Sequence, residues 1–491
     1  MSVPHKSDNA EDSCLKNHTA ALGQQGTETN SHGPIGPMRT GQKGDLPAAS
    51  NSDEPPSESP PLEQTVGDAY DDKFPEGGIA AWLVVFGSFC ALFAVYGLIN
   101  TSAVFATYFK DHLLSDYTPS QIGWIFSLYL FLVFFAGVQV GPVFDRHGPR
   151  WLVAIGCLLI VASLMLLSLC KVPDQEPAEY YQIILTYSVM GGLGGALLNA
   201  PAYSAIAHFF NARRGLATGI ASTAGGIGGI VFPLLLRHLL SPEGVGFPWS
   251  CRILGFFMLG LAIPANLFIR SNPKVQALEH GKPKSASLWP DFGVFRDVGF
   301  ALASVGFFFM EWGLFVPLTY VVSYGTAYSV SLSDSSLLLS LLNAGSVLGR
   351  FLPGFLSDKL GRFNVIIVTI ALCAVTVLAI WLPARGSYAV LIVFCVIFGV
   401  ASGSNLGLIP VCLGQFCDAK DYGRYYATSA MFASFGTLSS VPIAGALLEI
   451  EDQDTGWTAL VLFAGCSYVV ALVCYIAARV LMVGWLPQTK F

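Results

Sequence analysis

Two ionisable side chains stand inside long apolar runs, where charge is expensive. Glu311 lies in Phe307-Phe308-Phe309-Met310-Glu311-Trp312, and Arg350 in Leu348-Gly349-Arg350-Phe351-Leu352-Pro353-Gly354. An ionisable group at the centre of a membrane span costs about 2.5–3.5 kcal/mol on insertion scales, so each asks for a function. Apolar surroundings disfavour the charged form of a carboxyl, which makes Glu311 a candidate proton carrier. A helix–helix hydrogen bond, or an ion pair with Arg350, are its alternative uses. The Arg350 guanidinium can hold a carboxylate through a bidentate fork. Its plainer use is to snorkel and anchor one end of a helix. Four amides, Asn100, Asn199, Asn343 and Asn405, also fall in apolar runs. Each donates and accepts, so each suits a hydroxyl or carboxylate ligand, or an interhelical hydrogen bond.

A second set of residues occurs twice. Gly141-Pro142-Val143-Phe144-Asp145-Arg146-His147-Gly148-Pro149-Arg150 is matched by Gly354-Phe355-Leu356-Ser357-Asp358-Lys359-Leu360-Gly361-Arg362. The first glycine lets two helices approach closely, and the second permits a tight turn. The carboxylate can cap a nearby helix N-terminus or pair with the cations beside it. Contacts that hold in one conformation and break in another suit a gate. One copy would read equally well as a turn with charges that set topology; two copies in register favour the gate.

These residues need a membrane-embedded scaffold. The chain has 491 residues, 53% hydrophobic and only 12% charged, where a soluble chain carries about 25% charged residues. A membrane helix needs about 20 apolar residues. Runs of that kind fall near 80–106, 120–142, 151–170, 180–209, 215–239, 249–270, 298–322, 333–356, 364–383, 387–413, 424–447 and 457–483. This predicts an all-α membrane protein of twelve spans: an N-terminal six-helix bundle over 78–270, a linker over 271–297, and a second six-helix bundle over 298–485. A short tail over 486–491 closes the chain. Residues 1–77 carry 13 Asp/Glu against 5 Lys/Arg and few large apolar residues, a composition that predicts disorder. They contain no apolar core of the kind a cleaved signal peptide needs. The net charge of −6 comes from this tail and says nothing about a ligand.

Lys/Arg placement sets the orientation. Loops on the side of the termini hold thirteen of these cations, among them Arg146, Arg150, Arg213, Arg214, Lys359 and Arg362; the opposite loops hold five. Both termini and the linker are therefore expected in the cytosol. The eleven cysteines are scattered, with no C-x-x-C pair, and the eight histidines lack ligand spacing. No metal, cofactor or disulfide framework is expected. No catalytic or nucleotide-binding signature stands out, so neither an enzyme nor ATP drive is expected. Nothing in the charge pattern asks for a nucleic acid.

The repeated loop after spans 2 and 8 resembles the signature of the major facilitator superfamily, over about residues 78–485. That resemblance implies two six-helix bundles around a central cavity, with binding near the midplane and rocking alternating access. It also implies that spans 1, 4, 7 and 10 line the cavity, which would put Glu311 on a cavity helix. Further patterns are similar to the monocarboxylate porter branch, in its fungal type. They are Glu76-Gly77-Gly78 before Trp82, Phe209-Phe210-Asn211-Ala212-Arg213-Arg214-Gly215-Leu216-Ala217 opening span 5, and Pro442-Ile443-Ala444-Gly445 with Trp457 later. Animal members of that branch carry a lysine in span 1 and an Asp–Arg pair in span 8. The matching positions here are Asn100, Ser346 and Arg350. Two of the three charged groups are absent, which leaves Glu311 to carry any proton. The glycines of span 5, including Gly219, Gly225, Gly226, Gly228 and Gly229, read as a packing face, with a hinge as the alternative.

The expected function is a secondary transporter of a monocarboxylate or related small organic molecule, coupled to protons, in the plasma membrane or an internal membrane such as the vacuole. Export of a secondary metabolite is the alternative within transport. A non-transporting nutrient sensor on the same fold is the alternative outside it.

Overall fold

In a computed structural model, residues 74–170, 180–241, 243–276 and 292–484 are described, and they are helical with no strand among them. Residues 1–73 of the expected tail, most of the linker and the C-terminal tail lie outside the described residues.

Among the described residues, twelve helices are long and apolar enough to cross a membrane. They are α1 (Gly78–Leu113), α2 (Ser120–His147), α3 (Arg150–Leu167), α4 (Tyr180–Phe209), α5 (Arg214–Leu239) and α6 (Gly246–Phe268) in the first half. The second half has α7 (Val298–Ala327), α8 (Leu332–Leu360), α9 (Arg362–Trp381), α10 (Tyr388–Leu413), α11 (Tyr422–Leu447) and α12 (Gln453–Val483). All twelve expected spans are present. Several run longer than their apolar runs suggest, because charged residues at the ends extend the helix without adding hydropathy. α1 continues through Lys110 to Leu113 after an interruption at Thr101.

Local sequence explains the ends. Thr118 and Gln121 form a capping box before α2, and Asp297, Ser331 and Asp452 cap α7, α8 and α12 through their side chains. Gly148 (φ 75°) and Gly361 (φ 95°) end α2 and α8 in the left-handed region, as the two repeated loops require. α5 is continuous, with no break at its glycines. It threads between α1 and α8. A methyl group at Gly228 would meet the Gly97 backbone on α1, and one at Gly219 would meet the Arg350 carbonyl on α8. Close packing is therefore the role of this glycine face in the structure.

Residues 74–76, which composition assigns to the tail, are seated on the helical body. Phe74 is buried with Val275, from just after α6, and Ala419, from just before α11.

Candidate functional site: a central cavity and the closure beneath it

The end of the bundle that carries the two repeated loops is called here the loop end. Asp145 and Asp358 sit there, and each reaches into the opposite half. The carboxylate of Asp145 accepts from the backbone amides of Gly423 (3.0 Å) and Arg424 (2.8 Å), in the first turn of α11. That of Asp358 accepts from Gly215 and Leu216 (both 2.8 Å), in the first turn of α5. Both oxygens of each group are spent on helix N-termini, where donors are unsatisfied and the dipole favours an anion. The choice that the sequence left open, cap or cation pair, is thus a cap in the structure. Glycine makes each approach possible. A methyl at Gly141 would run into the Gly423 carbonyl, and one at Gly354 into that of Gly215.

The cations of the two loops play unequal parts. Arg146 and Arg150 are exposed, and Lys359 lies over the Phe355 ring at 4.2 Å. Arg362 donates across the halves to the Asn211 carbonyl. Arg214 donates to the Gly414 carbonyl (3.2 Å) and lies over the Tyr422 ring, again joining the halves. Glu76 caps the same region from within its own half, accepting from the amides of Asn211, Ala212 and Arg213. The opening Glu-Gly-Gly therefore has a physical use that the sequence alone did not disclose.

Above this closure lies a cavity between the halves, with about 570 Å³ of space not filled by protein atoms, a volume that includes open solvent. Its polar wall is Tyr96, Asn100, Asn343, Ser346, Arg350 and Ser402; its apolar wall includes Leu130, Phe134, Leu314, Phe315 and Leu318. Arg350 is the only cation among these lining residues. Its Nη1 donates to the Ser222 carbonyl on α5 at 2.6 Å, in space that the lack of a side chain at Gly225 leaves open. Asn100 donates to the carbonyls of Tyr96 (2.7 Å) and Gly225 (3.3 Å), beside the interruption of α1 at Thr101.

Three of the six predicted pathway residues, Asn100, Asn343 and Arg350, thus line one cavity. The other three do not. Asn199 lies in the floor, accepting from the Tyr96 hydroxyl and donating to the Tyr426 hydroxyl, both at 3.1 Å. α4 consequently contributes no lining residue here, although the family resemblance implied that it would; α2 and α8 line the cavity instead. Asn405 donates to Tyr468 inside the second half. Glu311 is 1% exposed, and neither carboxyl oxygen has a hydrogen-bond partner. It shares a helical stripe with Leu314, Phe315 and Leu318, but lies one turn closer to the loop end, under the cavity rather than in it. An ion pair with Arg350 is excluded, because the guanidinium points to Ser222 and the carboxyl oxygens have no partner.

Sequence reasoning passed over the tyrosines of this floor. Tyr96, Tyr203 and Tyr426 are buried, and the Tyr203 and Tyr426 rings meet at 5.4 Å across the halves. Tyrosine is unremarkable in an apolar run; the adjacent pair Tyr425-Tyr426, in an otherwise small-residue stretch, was the available signal.

Comparison with known proteins agrees with this architecture. A sequence model described as Major Facilitator Superfamily matches residues 84–420 and 309–489. The chain is 39% identical to the MFS-type transporter opdF of Penicillium oxalicum, over 85% of this chain and 94% of that one. It is 34% identical to the riboflavin transporter MCH5 of Saccharomyces cerevisiae (84% and 81% covered). It is 32% identical to the fujikurins efflux protein of Gibberella fujikuroi (91% and 93%). Among solved structures it is similar in fold to the proton:xylose symporter XylE, at a TM-score of 0.62 and 16% identity, over 84% of this chain and 96% of that one.

Proposed function

Because the chain belongs to the major facilitator superfamily, we propose that it moves a monocarboxylate or related small organic molecule across a membrane by alternating access, driven by protons. The observation that carries this reading is the cavity between the halves, with Arg350 as its one cation, above two reciprocal aspartate caps. Hydrogen bonds between the halves run from the floor to the loop end, through Asn199, Arg350, Arg214, Arg362, Asp145 and Asp358. This arrangement is one state of a two-state machine, closed at the loop end. The excess of Lys/Arg at that end assigns it to the cytosol, with both termini, so the cavity serves the outer face or the lumen in this state.

Substrate binding falls to Arg350, whose guanidinium pairs with a carboxylate, and to the amides of Asn100 and Asn343. Glu311 is the proton carrier: a carboxyl buried without partners is stable when neutral, and it loads and releases as its surroundings change between states. The two aspartates are the gate. Each cap exists only while the halves meet at the loop end, and its loss favours the other state.

The apolar wall of the cavity, formed by Leu130, Phe134, Leu314, Phe315 and Leu318, suits a substrate with an apolar face. Together with the likeness to a protein named for efflux, this supports export of a secondary metabolite as the second reading. The test is uptake and efflux in proteoliposomes, with a panel of labelled carboxylates and riboflavin, at two pH values. Saturable flux of a carboxylate that rises with an inward proton gradient supports the first reading. Flux of only the larger, uncharged members assigns the cavity to the second.

A further inference from the structure

The hydrogen-bonding capacity of the cavity's polar wall is unevenly spent. Asn100, on α1, uses both protons of its amino group on backbone carbonyls, those of Tyr96 (2.7 Å) and Gly225 (3.3 Å). Both partners can only accept, so they fix which end of the amide is which. Its Oδ1 is left over. That oxygen accepts from no group among the described residues, and Asn100 is only half-buried in the cavity wall. Tyr96, one turn earlier, gives its hydroxyl proton to Asn199 Oδ1 at 3.1 Å. Among the lining residues, the first half therefore offers a ligand acceptors and no donor.

The second half has the opposite character. Arg350 is more than nine-tenths buried, spends Nη1 on the Ser222 carbonyl and leaves Nε without a partner. Asn343 keeps one N–H after giving the other to the Leu339 carbonyl (3.1 Å). These two halves of the wall meet at one residue of α5. Asn100 bonds the Gly225 carbonyl, and the Arg350 guanidinium fills the space that a side chain at Gly225 would take. An anion held by Arg350 thus lies within one small molecule's reach of Asn100 Oδ1.

We propose that Asn100 is a specificity-determining residue, which selects acids carrying a second group with a proton to donate, a hydroxyl or an N–H, over acids whose remainder is wholly apolar. This rests on the reading of Arg350 above as the group that holds a carboxylate. The carboxylate takes the open donors of Arg350, and the second group donates to Asn100 Oδ1. The rest of the molecule lies on the apolar wall of Leu130, Phe134 and Leu314. A plain acid of the same shape would take water from Oδ1 and return no donor, which costs affinity. The matching ligand holds α1 of one half and α8 of the other together, so its binding depends on how the halves are set.

The experiment is equilibrium binding by titration calorimetry to the purified chain in lipid nanodiscs, where both faces are open to ligand. The probes are ortho-, meta- and para-hydroxyphenylacetate, each paired with its methyl ether. Members of a pair share the acid and the ring and differ in one proton donor; the isomers place that donor at different distances from the carboxylate. In the parent, at least one hydroxy acid binds about tenfold tighter than its methyl ether, the effect of leaving a desolvated acceptor unpaired. In Asn100→Ala that ratio falls below about twofold while the methyl ether keeps its affinity, which also shows that the variant is folded. A purely structural role for Asn100 would instead lower both members together. Arg350→Lys weakens both members alike and keeps the ratio. Equal binding within every pair in the parent overturns the role of Asn100 and leaves that of Arg350 standing, and this comparison needs no variant to fold. A hydroxyl preference that survives Asn100→Ala overturns it as well. If the neutral amides of these compounds bind as tightly as the acids, or if no acid binds, the carboxylate reading of Arg350 fails and the role of Asn100 with it.

Discussion

The aspartate caps give the sharpest quantitative prediction. Asp145 and Asp358 each accept two amide hydrogen bonds, at 3.0 and 2.8 Å and at 2.8 and 2.8 Å, from helix N-termini of the opposite half. A hydrogen bond to a charged group contributes about 1.5–3 kcal/mol and a neutral one about 0.5–1.5 kcal/mol. Asparagine keeps one carbonyl oxygen and turns an amino group toward the second donor, so it loses one bond and weakens the other. A loss of about 2 kcal/mol per site follows, and it falls only on the loop-end-closed state. That is about a 30-fold change in the closed-to-open ratio for either Asp145→Asn or Asp358→Asn. The two caps share no partner, so the double variant should shift the ratio by roughly a thousandfold if they act independently. Distance measurement between spin labels at Trp151→Cys and Leu360→Cys, exposed positions on opposite halves near the loop end, reads that ratio directly, and surface expression checks insertion. A double variant with the parent's distance distribution would refute the claim that these caps hold the closed state.

Other outcomes follow from the same geometry. Arg350→Lys should weaken binding of a carboxylate substrate about tenfold, because an ammonium cannot reproduce the planar fork or reach Ser222 the same way; equilibrium binding to the purified protein checks this, and unchanged affinity would assign Arg350 to structure. Gly141→Ala places a methyl against the Gly423 carbonyl and should open the loop end without preventing insertion, by the same distance measurement. Cysteines placed at Lys274 or Arg296 should resist an impermeant reagent in intact cells; labelling there would reverse the assigned orientation.

Much of the fold was legible because a membrane makes composition speak. Twelve apolar runs became twelve helices, and the repeated Gly…Asp…Gly loop marked both aspartates because two copies in register are hard to explain by chance. What the sequence did not carry was the partner of each aspartate. A cap formed across the halves depends on their relative placement, and no local pattern encodes that. Charge alone singled out Glu311, yet its depth depends on packing: Tyr468 and Tyr475 of α12 lie against Gly313 and Gly306, on either side of it, and hold α7 with the carboxyl below the cavity. The floor tyrosines were invisible for the opposite reason, since a hydroxyl on a large apolar ring adds no cost that a hydropathy pattern registers.

The central claim, proton-driven transport with Glu311 as the carrier, is tested most directly by net flux against pH in proteoliposomes. The purified chain should accumulate one labelled member of the substrate panel uphill under a proton gradient and lose that accumulation on addition of a protonophore. In Glu311→Gln, which keeps size and hydrogen bonding but cannot titrate, uphill accumulation should vanish while exchange of the same compound across the membrane continues. Accumulation that survives both the protonophore and Glu311→Gln would contradict the account.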